Sequence, residues 1–238
     1  MLVFGTRPEA IKMCPLVNEL KKNDSIKTLV CVTGQHKEML EQVLDVFKVV
    51  PDYDLGIMKA NQTLFSITTS ILDKIQVVFE QEKPDIVLVH GDTTTTFATA
   101  LAAFYMGIKV GHVEAGLRTY NLQSPFPEEF NRQTTSIIAD YHFAPTEVAK
   151  DNLLKEGREN IFVTGNTVID ALKTTVQDDY NHPILEWAKD SKLIMLTAHR
   201  RENLGQPMEN MFNAVNRILN EFEDVKVVYP IHKNPKVR

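Results

Sequence analysis

The chain has 238 residues, 43% hydrophobic and 24% charged, a composition that fits one large or two small globular domains and excludes a disordered chain. A formal net charge of −5 and the lack of any basic run argue against nucleic acid or an anionic membrane as partner, while local Arg and Lys leave an anionic small molecule open. With neither a secretory signal nor an apolar span of ~18 residues, a cytoplasmic protein with no membrane partner is expected.

In chain order the pattern predicts strands at Leu2 to Phe4, Thr28 to Thr33, Ile86 to Val89, Lys109 to Val113, Tyr141 to Ala144 and Ile161 to Val163. Helical periodicity falls between most of them, at Glu9 to Lys22, Leu64 to Gln81, Thr94 to Tyr105, Glu128 to Ile138 and Thr146 to Lys155. This alternation is an α/β class with a parallel sheet. A first domain is expected over residues 1–166. Residues 167–238 follow as linker helices and the start of a second domain, with a strand at Leu193 to Thr197, a helix at Pro207 to Phe222 and a strand at Val225 to Tyr229. So few pieces bury little core, so the second domain is expected to be incomplete in this chain. Cys14 and Cys31 lack CxxC spacing and read as buried reduced thiols; no metal site and no Gly-x-Gly-x-x-Gly fingerprint is evident.

The segment Asp85 to Glu114 reads strand, helix, strand, a crossover that sets two parallel strands in one sheet. Its strands end on Asp92 in "VLVHGD" and Glu114 in "KVGHVE", so two carboxylates meet at the sheet edge where α/β proteins bind ligands. Asp92 is equally placed to cap the helix through "TTTT", whereas Glu114 has no such structural duty. His90 and His112 read as satisfied structural histidines, and Arg118 is positioned to balance the acids. In "GTRPE" the first strand turns into a helix with Pro8 at its start, so that Arg7 and the helix N-terminus suit a phosphate. An exposed Arg beside a capped helix, with Glu9 favouring the first turn, explains the same residues. In "PEEFNR", Glu128 and Glu129 fall in the first helical turn, where the helix dipole alone favours them; Glu128 is also placed to fold back over the crevice, and Asn131, Arg132 and Gln133 to contact a sugar or close the site. "TAHRREN" repeats the strand-to-helix arrangement later, putting His199, Arg200 and Arg201 at a second sheet edge suited to a diphosphate, with His232 one strand further on; a basic surface turn explains the same residues.

Taken together, "GTRPEAIKM", "HGDTTTT", "GHVEAGLRT", "PEEFNR", "GNTVIDAL" and "HRREN" resemble the non-hydrolysing bacterial UDP-N-acetylglucosamine 2-epimerases over the whole chain. The resemblance implies two Rossmann-like domains of glycosyltransferase-B type with the site in the cleft, homodimerisation, no cofactor, and UDP-N-acetylglucosamine and UDP as partners. It carries catalytic roles onto Asp92, Glu114, Glu128 and His199, and substrate or phosphate contacts onto Arg7, Lys12, Arg132 and Arg200. It also implies an activating second nucleotide sugar near Gln35, Gln62, Arg200 and His232. The family's "SGG", "QEE" and "TERPE" elements are absent here. A hydrolysing epimerase, a glycosyltransferase of the same architecture and a non-catalytic nucleotide-sugar-binding fragment are the rival readings.

Overall fold

Short apolar strands with side chains alternating between two buried faces build the first unit, Met1–Val176. The structure is a computed structural model describing residues 1–34, 37–59, 62–198 and 204–231, with backbone alone for 37 and 38. The strands are β1 (Leu2–Phe4), β2 (Val30–Val32), β3 (Tyr53–Asp54), β4 (Ile86–His90), β5 (Lys109–Val113), β6 (Tyr141–Ala144) and β7 (Ile161–Val163). They form one seven-stranded sheet in the order β3-β2-β1-β4-β5-β6-β7, and every pairing is parallel.

Val3, Cys31, Val87, Val89 and Val110 face α3 (Leu64–Glu82) and α4 (Thr94–Tyr105), meeting Ile67, Ile71, Ile75, Phe79 and Ala98. The alternate residues Leu2, Phe4, Val30, Val32 and Val113 face α1 (Arg7–Leu20) and α2 (Lys37–Phe47), meeting Met13, Val17, Leu40 and Leu44. A sheet buried on both faces by helices is a doubly wound, Rossmann-like arrangement. α5 (Glu128–Ile138) and α6 (Glu147–Lys155) follow β5 and β6.

The expected crossover is present: β4 and β5 are parallel neighbours in register from Ile86↔Lys109 to His90↔Val113, joined by α4. Sequence reading did not resolve α2, the two-residue β3, α7 (Val168–Thr175) or α8 (Pro183–Ala188). The units divide after Val176 rather than after Asn166, because α7 places Ala171 in the same core cluster as Met13 and Val17 of α1. In the second unit, residues 177–238, β8 (Lys192–Met195) and β9 (Val225–Val228) pair in parallel, with α9 (Gln206–Glu221) between them in sequence. Among its described residues Ala188, Ala198 and Met208 are the buried hydrophobics, and β8 is exposed along its length. No helix among the described residues is long and apolar enough to cross a membrane.

Candidate active site

Three turns at the carboxyl edge of the sheet carry the candidate residues, and each is fixed by a local rule. After β1, Thr6 caps α1: its hydroxyl accepts from the Glu9 N–H while the Glu9 carboxylate accepts from the Thr6 N–H at 2.7 Å, a capping box. Gly5 leaves no room for a side chain at this turn without a shift of its neighbours, because a Cβ there would lie 1.9 Å from Thr33 Oγ1. Arg7 is exposed at the first helical position, and Lys12 lies half-buried one turn further on.

After β4, Thr93 caps α4 by accepting from the Thr96 N–H. That leaves Asp92 free of the capping role it was equally placed to fill. Its carboxylate pairs instead with Arg132 of α5 at 2.9 Å. After β5, Glu114 adopts a left-handed backbone with φ of 61°, an unusual conformation for a side chain of its kind. Its carboxylate pairs with Lys12 and accepts from Asn166 Nδ2 at 3.2 Å. His90 Nε2 stands 3.7 Å from the same oxygen. Glu128 opens α5, half-buried, and its charge acts on Asp92.

The electrostatics single out Asp92. Burial pushes its carboxyl up to about 6; Arg132 opposes this, and the negative charges of Glu128, Glu114 and Glu9 reinforce it. A carboxyl that gains and loses its proton near neutral pH is suited to acid–base work. The crevice thus holds three acids, Asp92, Glu114 and Glu128, with Lys12 and Arg132 among them and Arg7 exposed nearby in sequence on the same turn as Glu9.

Several expectations need correction. Arg118 does not balance the crevice acids: its guanidinium is buried and forms a two-pronged pair with Glu156, at 2.7 and 2.8 Å. Asn131 and Gln133 do not reach for a ligand either, since Asn131 donates to the Asp92 carbonyl at 2.9 Å and Gln133 to Glu129 at 2.7 Å. The histidines are only half satisfied. His112 Nε2 donates to the Gly91 carbonyl at 2.7 Å, but His112 Nδ1 and His90 Nε2 are buried without a hydrogen-bond partner among the described residues. Burial pushes both rings down to about 3. Gln35, His199, Arg200 and His232 lie outside the described residues; Gln62 is described, and donates to the Ile57 carbonyl at 2.7 Å.

Two carboxylates that the sequence places only in first helical turns prove to be buried anchors. Glu129 is fully buried and accepts from the Thr119 and Tyr120 N–H groups at 3.0 and 2.9 Å and from Gln133. Burial pushes its carboxyl up, but these bonds and Arg132 outweigh that and hold it below the usual range. Through this anchorage α5 presents Arg132 to Asp92. Glu9 is the other; its Thr-x-x-Glu spacing from Thr6 was the available signal. Asn166 was likewise unassigned within "GNTVIDAL".

A doubly wound, Rossmann-like domain with a cluster of carboxylates at the carboxyl edge of its sheet is what fold and geometry define. Comparison with known proteins gives that class a family. The model described as UDP-N-acetylglucosamine 2-epimerase matches residues 18–238, and the chain belongs to this family. The UDP-N-acetylglucosamine 2-epimerase of Bacillus subtilis (strain 168) is 66% identical over 240 residues, covering 100% of this chain and 63% of its own length. Among solved structures, the UDP complex of S. aureus MnaA superposes with a TM-score of 0.92 at 54% identity, covering 100% of this chain and 64% of that one. The Neisseria meningitidis UDP-GlcNAc 2-epimerase bound to UDP-GlcNAc gives a TM-score of 0.90 at 51% identity, with 100% and 67% covered. This chain therefore spans about 63% of the length of the Bacillus relative.

Proposed function

We propose that the protein interconverts UDP-N-acetylglucosamine and UDP-N-acetylmannosamine by eliminating and re-adding UDP, as a cytoplasmic homodimer serving cell-envelope polysaccharide synthesis. Family membership and similarity to relatives named as epimerases support the reaction, and so does the chemistry the crevice can perform. Carbon 2 of the sugar is not next to a carbonyl, so its proton is too weakly acidic for direct removal by a carboxylate. As the C1–O bond breaks and its electron pair leaves with UDP, oxocarbenium character develops at C1 and the C2 proton becomes removable. The C2–H electron pair then forms the C1–C2 double bond of a 2-acetamidoglucal. Protonation of C2 on the opposite face, with UDP returning to C1, gives the epimer.

Two-faced proton transfer calls for more than one acid–base group. In this proposal Asp92 and Glu128 exchange the C2 proton, and Glu114, paired with Lys12, stabilises the developing positive charge. Arg7, Lys12 and Arg132 are proposed to meet the diphosphate and sugar; Arg200 is carried over as a further substrate contact and His199 as a catalytic group by the family resemblance alone. Gln35, Gln62, Arg200 and His232 are proposed to receive a second, activating nucleotide sugar.

The observation that carries the proposal is the grouping of Asp92 with Glu114 and Glu128 at the carboxyl edge of the sheet, where burial pushes the Asp92 carboxyl up to about 6. Asp92→Asn and Glu128→Gln are each expected to lower turnover by at least about a hundredfold with the circular dichroism spectrum unchanged. Near-normal turnover in either would remove that residue from the mechanism.

A further inference from the structure

Glu9 has more contacts than a helix cap needs. It is 2% exposed, and both carboxylate oxygens are engaged. Oε2 accepts from the Gly5 and Thr6 N–H groups at 3.0 and 2.7 Å, which completes the capping box. Oε1 turns away from its own helix and accepts from the Thr93 hydroxyl at 2.6 Å, across 84 residues of sequence. Thr96 Oγ1 lies 3.2 Å from that same oxygen and also contacts the His90 carbonyl, at the root of the turn that carries Asp92. No ion pair reaches Glu9 among the described residues. A buried carboxylate without a cation is costly, and a neutral side chain would serve to cap a helix.

We propose that Glu9 is a positioning residue whose carboxylate clasps the turn bearing Arg7 to the turn bearing Asp92, so that the cation and the acid of the crevice are held in one fixed relation. This deepens the reading of that crevice as an epimerase site and rests on it. Arg7 directly precedes Pro8 and Glu9 at the start of α1, and Asp92 directly precedes Thr93, the cap of α4. One carboxylate therefore sets the spacing of two helix N-termini. Its charge also bears on Asp92, which faces Arg132 and Glu128 from α5, Glu114 from the end of β5 and Glu9 from α1.

The test uses the ligand-free chain, so its outcome does not depend on which reaction the crevice performs. The Asp92 carboxyl is titrated by carbon-13 NMR in the parent and in Glu9→Gln, which keeps the shape and removes the charge. The midpoint is expected to fall by roughly half a pH unit, since a like charge has been taken away. An unchanged midpoint would overturn the proposal, because a carboxylate held against the turn that bears Asp92 cannot leave its titration unaltered. Should Glu9→Gln fail to fold, Thr93→Val decides the matter by cutting the clasp from the other side. It is expected to shift the amide resonances of Gly5, Thr6 and Arg7, and Thr93→Ser is expected to restore them. Resonances of that turn that stay in place in Thr93→Val would equally overturn it. Failure of the epimerase reading would show separately, as a missing isotope exchange at the sugar.

Discussion

Acid should loosen the first unit between neutral pH and about pH 5, because two enclosed histidines resist protonation in the fold. His90 and His112 are held down to about 3 by burial, from an ordinary 6.5; Lys12 acts further on His90. Period-two alternation turns His90 toward α1 and His112 toward α4, so the two are enclosed by different helices. A histidine whose folded pKa is depressed binds its proton more readily when unfolded, so stability falls as pH drops through 6.5 toward 3. At about pH 5 each ring costs about 2 kcal/mol relative to neutral pH. His142, pushed down to about 4 chiefly by burial and then by Arg158, adds in the same direction.

Asp92 works against them. Raised from 3.8 to about 6, it is protonated earlier in the fold and returns about 1 kcal/mol at about pH 5. The net loss from His90, His112 and Asp92 is therefore about 2–3 kcal/mol, a large share of a typical total of ~5–15 kcal/mol. Urea unfolding followed on the amide resonances of β4 and β5 reads this unit apart from the second. A midpoint that falls between neutral pH and about pH 5 by the matching amount is expected, and His112→Gln should flatten the dependence. Stability that is level or rising over that interval would refute the assignment of these rings as neutral and enclosed.

Other outcomes follow from the same geometry. Arg132→Ala removes the cation 2.9 Å from Asp92 and should raise the Asp92 midpoint further, by about one pH unit, in the carbon-13 titration. Gly5→Ala should lower stability by about 2 kcal/mol, because the new methyl meets Thr33 Oγ1, and the added change Thr33→Ala should recover part of that loss in the same urea experiment. Glu129→Gln should cost about 1–3 kcal/mol, since the replacement cannot accept from Thr119, Tyr120 and Gln133 all at once.

The sheet was legible because its central strands are apolar runs bounded by turns, and the two site acids because they fall at the ends of neighbouring strands. α2 was legible as well but passed over: Leu40, Val43, Leu44 and Phe47 recur at helical spacing and are all buried. β3 offers only Tyr53 and Asp54, too short for any period to register. Capping competition at Asp92 could not be settled from sequence, because Asp92 and Thr93 are both good caps and the choice turns on Arg132, which lies on α5. Glu129 and Arg118 were hidden for a related reason. Their partners, the Thr119 and Tyr120 N–H groups and Glu156, are set by how the loop after β5 packs, which leaves no periodic trace.

Transfer of the C2 proton is the step on which the functional reading stands, and isotope exchange reports it directly. The full-length protein is incubated with UDP-N-acetylglucosamine in D₂O, and the sugar is followed by proton NMR. Deuterium at C2 together with UDP-N-acetylmannosamine is the expected result. Free N-acetylmannosamine would mark a hydrolysing enzyme, and binding of UDP-N-acetylglucosamine without any exchange at C2 would contradict the role given to Asp92, Glu114 and Glu128.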